Sequence, residues 1–98
     1  MKKFPSSIDV KGVRYKIKQQ DLEANNLCGH CDPVKKIITI NSKMSLEDKL
    51  STVLHELGHA VISEVGIRQT PGWSIDIEEI VVENFSNFMV DKFKIAFK

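Results

Sequence analysis

The stretch Leu46–Val65, LEDKLSTVLHELGHAVISEV, decides the fold prediction. Its leucines and valines recur every three or four residues, which is the spacing of one face of an α-helix. Ser45 precedes the stretch as an N-cap, acidic residues occupy the first turn, and Gly66 follows as a C-terminal stop. The sequence therefore predicts one long amphipathic helix. Its apolar positions are Leu46, Leu50, Val53, Leu54, Leu57, Val61 and Val65.

The residues before this helix predict strands. Apolar residues alternate between positions 8 and 17 on either side of Lys11-Gly12, which is typical of a β-hairpin. Residues 36–41, KIITIN, are rich in β-branched side chains and predict a further strand. Between them, residues 28–33 (CGHCDP) predict a turn, because proline does not fit a central strand.

The residues after the helix predict a loop and a second helix. Pro71-Gly72 lies in the loop, and from Asp76 the pattern is helical again with several apolar residues on one side. Those residues are Ile80, Val81, Phe85, Phe88 and Met89. Strands followed by helices predict an α+β fold: a β-hairpin plus a strand, then the long helix and a C-terminal helix. At 98 residues, the chain from 1 to 98 is expected to form a single domain.

Composition excludes several classes of protein. The chain is 42% apolar and 28% charged, close to the average of globular proteins, and its net charge is +1. We therefore expect no nucleic-acid partner, since no strongly basic surface is indicated. No apolar run approaches the ~20 residues that span a bilayer, so we expect no membrane contact. Two cysteines and no recognisable export signal favour the cytoplasm.

The predicted helix contains the motif His55-Glu56-Leu57-Gly58-His59, an H-E-x-x-H sequence. Residues four apart on a helix lie on one face with Cβ atoms roughly 5–6 Å apart, so both histidines can bind one Zn²⁺. Glu56 lies about 100° further around the helix, where it can reach a water beside the metal as a general base. The alternative without a metal site is that the two histidines are simply exposed to solvent on an amphipathic helix. Gly58 weighs against it, because a glycine within a helix costs about 1 kcal/mol and suggests close approach of another chain segment or a substrate.

At these residues the chain resembles the zincin metallopeptidases, in particular the ImmA/IrrE type and small, often phage-encoded zincin domains. Gly29-His30-Cys31-Asp32, Ile38-Thr39-Ile40, the motif helix and Glu79-Ile80-Val81-Val82 stand in the order found in those domains. The resemblance runs from about residue 8 to residue 93, although H-E-x-x-H is the only part of it that is a specific motif. It implies a minimal zincin-like fold, zinc as cofactor and a glutamate on the last helix as third ligand. The chain lacks the longer C-terminal region of the ImmA/IrrE pattern.

Two adjacent glutamates on the second helix, Glu78 and Glu79, are candidates for the third metal ligand. Amphipathicity places Glu78 more centrally on the buried face, on the stripe of Val81 and Phe85. Glu79 shares the neighbouring stripe of Val82 and Ser86, which also faces inward when two helices pack together. The resemblance instead implies Glu79, three residues before the aliphatic Val82. Glu83, one turn further on, is then placed to orient a ligand histidine.

Other residues have weaker functional interpretations. Cys28-Gly29-His30-Cys31 invites a dithiol redox motif or a second metal site, but the surrounding sequence lacks a following helix and a fourth ligand. We therefore expect a buried turn whose cysteines act as small apolar groups. Trp73 is expected to pack or to line a substrate cleft, and Tyr15 and His30 are candidates to stabilise a tetrahedral intermediate.

The sequence thus predicts a zinc-dependent metallohydrolase, most readily a peptidase, with His55, His59 and Glu79 as ligands and Glu56 as base. Its partner is then a peptide or protein, and an extended substrate is expected to add to a sheet edge, for which residues 36–41 are the candidate. The alternative is a non-catalytic zinc-binding interaction protein that keeps the metal for stability. Retention of Glu56 argues against that alternative, because a purely structural site has no use for a base.

Overall fold

The alternating N-terminal residues form a hairpin of β1 (Ser7–Val10) and β2 (Val13–Gln20). These strands belong to a computed structural model that describes the backbone of residues 4–96 and the side chains of residues 4–91 other than Asn25. At the turn, Lys11 and Gly12 have φ of 51° and 81°. Two consecutive positive φ angles are those of a type I′ turn, whose twist matches that of the strands it joins. The predicted hairpin is confirmed.

Two further strands complete a mixed sheet in the order β1-β2-β4-β3. Strand β3 (Gly29–Asp32) runs antiparallel to β4 (Ile37–Asn41), and β4 runs parallel to β2. The predicted strand at residues 36–41 is confirmed, but the predicted turn at residues 28–33 is wrong for four of its residues. The proline does not interrupt pairing because it lies just beyond the end of β3. The edge prediction is also wrong, since β4 lies between two strands and β3 forms the edge.

The helix α1 (Leu46–Val65) has the predicted bounds. The Ser45 hydroxyl accepts a hydrogen bond from the Asp48 backbone N–H at 3.2 Å, and Gly66 ends the helix with φ of 75°. One face of α1 packs on the sheet and encloses the core with it. The buried members of this core are Val10, Tyr15, Ile17, Ile38, Ile40, Val53 and Ala60.

Two glycines allow close packing against α1. A Cβ on Gly29 would lie 2.7 Å from both the Thr39 carbonyl oxygen and Thr52 Cγ2, so only glycine lets the edge strand approach the helix here. A Cβ on Gly58 would lie 3.1 Å and 3.2 Å from the two γ-methyls of Val82. The expected close approach at Gly58 is therefore made by the second helix.

The second helix, α2 (Ile75–Ala96), begins one residue before the predicted start. Its buried face consists of Glu78, Val82 and Ser86, each no more than 5% exposed. The expectation of a buried apolar side is wrong for four of the five residues named for it, which are exposed: Ile80, Val81, Phe85 and Phe88. The reason is that α2 packs mainly on α1, where it turns its carboxylates toward the motif histidines. Within residues 4–96, neither helix combines the length and the apolarity needed to cross a membrane.

Candidate metal centre

The two motif histidines lie side by side on α1, with ring centroids 5.0 Å apart. Glu79 on α2 reaches both of them. One carboxylate oxygen is 3.4 Å from His55 Nε2, and the other is 2.9 Å from His59 Nε2. Ligand atoms of all three residues lie within 4.8 Å of one another, the one such group of three found among the described residues.

Glu78 lies one residue away and contacts the opposite side of the His59 ring. Its Oε2 is 2.5 Å from His59 Nδ1. Arg68 donates two hydrogen bonds to the same carboxylate, from Nε at 2.9 Å and from Nη2 at 2.7 Å, and the Trp73 indole donates a third at 3.1 Å. These donors, Arg68 first, lower the pKa of Glu78 to about 2. An ionised carboxylate only accepts hydrogen bonds, so Glu78 favours a proton on His59 Nδ1, the tautomer that would leave the Nε2 lone pair for a metal.

His55 has the same arrangement with a different glutamate. Glu83 Oε2 lies 3.1 Å from His55 Nδ1, while His55 Nε2 is directed at Glu79. Each imidazole therefore has its Nε2 beside Glu79 and its Nδ1 beside another carboxylate. These outer carboxylates are Glu83 for His55 and Glu78 for His59. A carboxylate on the second nitrogen is the usual way in which proteins fix the orientation and tautomer of a metal-binding histidine.

Glu56 lies on α1 beside this cluster and is only 9% exposed. Burial raises the pKa of its carboxyl group, and the neighbouring His55 and His59 partly oppose that rise. Glu56 does not belong to the group of three possible ligands. It is thus a carboxylate next to the cluster rather than within it.

The cluster opens into a cleft of about 690 Å³. One wall is the edge strand β3, and the opposite wall is the segment from Arg68 to the start of α2. Besides the histidines and glutamates already described, the lining residues are Gly29, His30, Cys31, Pro33, Arg68, Trp73, Ser74 and Ile75. An elongated molecule lying along β3 would therefore pass directly over Glu56 and the histidines.

Of the residues with weaker interpretations, Trp73 and His30 line this cleft and Tyr15 does not. The Tyr15 ring is fully buried in the core, and its hydroxyl donates a hydrogen bond of 2.6 Å to Glu64. Tyr15 is therefore removed from the candidates for contact with a substrate. His30 is exposed on the edge strand and stays a candidate.

The cysteines differ from each other. Both are free, but Cys28 is exposed, contrary to expectation, whereas Cys31 is partly buried and packs against the core. Burial, with the Glu56 carboxylate nearby, raises the pKa of Cys31 to about 11. A redox dithiol needs a lowered pKa, so this environment contradicts that interpretation. Among the described residues, no cluster of possible metal ligands includes either cysteine.

Sequence reasoning missed Arg68 entirely and did not foresee that Trp73 binds Glu78. Nothing in the local sequence marks Arg68, which follows the end of α1 in a short 3₁₀ turn, Ile67–Gln69. The only usable signal was the prediction that Glu78 faces inward. A buried carboxylate needs donors, and the loop between the helices offers an arginine and an indole.

Comparison with known protein families identifies one match. Residues 10–94 match the model of the IrrE N-terminal-like domain, peptidase family M78. The match covers most of the chain, so the chain belongs to this family, and the family supports a metallopeptidase type of function. Searches of curated proteins and of solved structures returned no significant match.

Proposed function

We propose that this IrrE-type domain is a zinc-dependent peptidase in which His55, His59 and Glu79 bind the metal and Glu56 is the general base. The observation that supports this proposal best is the convergence of the three ligand atoms within 4.8 Å, beside a buried carboxylate on the same helix. The cleft along β3 and the family membership agree with it.

The donor set fits zinc. Two ligand atoms that are each ~2.0–2.1 Å from a tetrahedral zinc lie about 3.3–3.4 Å apart. Glu79 oxygens are 3.4 Å and 2.9 Å from the two Nε2 atoms, close to that separation. All three ligand atoms lie within 4.8 Å of one another, so zinc would draw the widest pair together by up to ~1.4 Å. Two imidazoles and one carboxylate leave the fourth position for water or substrate, as in catalytic rather than structural zinc sites.

Zinc bound here would lower the pKa of a water molecule and polarise the carbonyl of a peptide bond. Glu56 accepts the proton that the attacking water loses as its oxygen bonds to the carbonyl carbon. Glu56 then delivers that proton to the amide nitrogen as the carbon–nitrogen bond breaks, so the products are a carboxylic acid and an amine. Glu78 and Glu83 hold the two imidazoles in the tautomer that leaves each Nε2 free to bind the metal.

We further propose that the substrate is an extended peptide bound along β3. An edge strand presents backbone N–H and C=O groups that an extended chain can pair with. Gly29, His30 and Cys31 of β3 line the cleft that contains Glu56. The free thiols are compatible with the cytoplasmic location that the sequence favours.

The first experiment measures metal content. Purified protein should contain about one zinc per chain by elemental mass spectrometry, and the double variant His55→Ala/His59→Ala should contain almost none, because it loses two of three protein ligands. Full zinc content in the double variant would move the metal elsewhere, with Cys28 and Cys31 as the first candidates.

The second experiment separates catalysis from metal binding. Glu56→Gln should retain zinc and lose cleavage of a proteome-derived peptide library, scored by mass spectrometry, by about 10²-fold or more. Glu47→Gln, in the exposed first turn of the same helix, is the matched control and should cleave like the parent. A parent that binds zinc but leaves the library intact would instead support the non-catalytic zinc-binding alternative.

A further inference from the structure

Helix α2 exposes a stripe of large apolar side chains beside the face that packs on α1. Ile77, Val81, Phe85 and Phe88 are 41%, 46%, 53% and 58% exposed. They follow one another at intervals of three or four residues, so they form one continuous line on the helix surface. The charged residue that borders this line, Glu78, is buried at 5% exposed, so it does not interrupt the exposed apolar surface.

The first half of the stripe, Ile77 and Val81, lies on the side of α2 opposite Glu79. Ile77 and Val81 are each two residues from Glu79, which places them about 200° around the helix axis from it. Asn84, at the margin of the stripe, donates its amide hydrogen to the Ile80 carbonyl oxygen at 2.7 Å. The Asn84 amide group therefore binds the backbone of its own helix and does not extend across the stripe.

The size of the stripe corresponds to a protein interface. With the adjacent Ile80, 63% exposed, its side chains present roughly 400–500 Å² of apolar surface, within the ~300–600 Å² of the largest patch on a typical monomer, which is often functional. A standard interface covers about 800 Å² per partner and is ~55–65% apolar, which is close to the same apolar area.

We propose that this stripe is the contact surface of a homodimer in which α2 of one chain packs antiparallel against α2 of a second copy. This inference goes beyond the proposed function and does not depend on it. A second copy is favoured because the stripe is self-complementary: the smaller Ile77 and Val81 occupy its first half, and the larger Phe85 and Phe88 its second half.

A two-fold axis near residue 83 pairs these halves. Phe85 then packs against Val81 of the partner subunit, and Phe88 lies close to Ile77 of the partner subunit, so each large side chain meets a smaller one. Antiparallel pairing also sets the two helix dipoles in opposite directions, which is favourable. Ile77 and Val81 lie on the side of α2 opposite Glu79, so the contact at these two residues does not cover that carboxylate.

The first test measures mass against concentration. By light scattering and sedimentation equilibrium from about 1 to 200 µM, the parent should reach twice its chain mass of 11.1 kDa. Val81→Glu should weaken the dimer at least ~10-fold, because it buries a charge in the apolar centre. Leu46→Glu is the control, since Leu46 is also exposed, at 67%, but lies in the first turn of α1; it should leave the dimer unchanged.

The second test addresses the antiparallel register. Val81→Phe alone sets two phenylalanines against each other, and Phe85→Val alone leaves a gap, so each should weaken the dimer by about 10-fold. The double variant Val81→Phe/Phe85→Val exchanges the two sizes and should restore the dimer to within ~3-fold of the parent. All the substituted side chains are exposed, so far-ultraviolet circular dichroism should show an unchanged fold.

Three results would overturn the proposal. The parent could stay monomeric at the highest concentration, which would leave the stripe to a different partner. Leu46→Glu could weaken the dimer as much as Val81→Glu, which would place the contact elsewhere. The double variant could fail to restore association, which would exclude the antiparallel pairing about residue 83.

Discussion

Replacing Gly58 by alanine tests whether the close approach of the two helices sets the geometry of the metal centre. Alanine is favoured over glycine within a helix by ~0.8–1.0 kcal/mol, so on propensity alone the variant should be more stable. The new Cβ, however, would lie 3.1–3.2 Å from the γ-methyls of Val82, which is 1% exposed. Overpacking of an enclosed side chain costs about 1–3 kcal/mol. The expected net change is a loss of roughly 0–2 kcal/mol.

The larger expected effect of Gly58→Ala is on zinc binding. A valine in a helix is held to one main rotamer, so relief of the contact requires α2 to move outward by a few tenths of an ångström. Glu79 lies on α2, and its oxygens are 2.9 Å and 3.4 Å from nitrogens on α1. Metal–ligand distances tolerate only about ±0.2 Å, so we expect zinc affinity to fall by about 10-fold.

The assay combines thermal unfolding with competition for zinc by a fluorescent chelator. One kcal/mol corresponds to about 4–8 °C in Tm for a chain of this size. The double variant Gly58→Ala/Val82→Ala supplies the control, because removal of the two γ-methyls makes room for the new Cβ and should recover the zinc affinity. A Gly58→Ala protein whose Tm rises by the full 4–8 °C and whose zinc affinity is unchanged would refute the reasoning.

Three further outcomes are expected. Glu79→Ala should lose zinc affinity by well over 100-fold, whereas Glu78→Ala should lose the ~10–100-fold typical of an outer carboxylate; the reverse order in a chelator competition would exchange their roles. Iodoacetamide at pH 8 should label exposed Cys28 before Cys31, whose pKa is raised to about 11, and mass spectrometry showing equal rates would contradict this. Hydrogen bonds from Lys36 and Tyr15 lower the pKa of Glu64 in the folded protein. The ionised Glu64 therefore stabilises the fold above pH ~4.3, which is the pKa of glutamate in an unfolded chain, and this stabilisation is lost as the pH falls further. The Tm of Glu64→Gln should therefore depend less steeply on acid pH than that of the parent, and identical slopes would count against the contact.

The features predicted correctly from the sequence depend on neighbouring residues. The bounds of α1 follow from its periodicity, from Ser45 and from Gly66, all within one segment. The spacing of His55 and His59 is likewise a property of a single helix. Strand β3 was missed because a strand of four residues depends on its pairing with β4, which local composition does not reveal.

The choice between Glu78 and Glu79 as third metal ligand could not be made from the residue pattern alone. Glu78 and Glu79 are adjacent, and Glu78 is buried at 5% exposed, although the stripe of Val81 and Phe85 with which it was expected to be buried is itself exposed. Which glutamate meets both Nε2 atoms depends on the rotation of α2 relative to α1, to which the Gly58–Val82 contact and the hydrogen bonds of Glu78 both contribute. The resemblance favoured Glu79, and the distances to the two histidines support that choice.

The rotation of α2 also explains why its apolar side faces outward. A turn of about 200° would exchange Glu79 for Val81 at the helix contact and bury part of a stripe whose transfer from water is worth several kcal/mol. It would also move Glu78 and Glu79 away from the histidines. The observed orientation is instead stabilised by polar contacts, with Arg68 and Trp73 offsetting the desolvation of Glu78. A helix that turns its carboxylates to the motif histidines thus leaves apolar side chains exposed beside them, where we propose that a second copy of the chain binds.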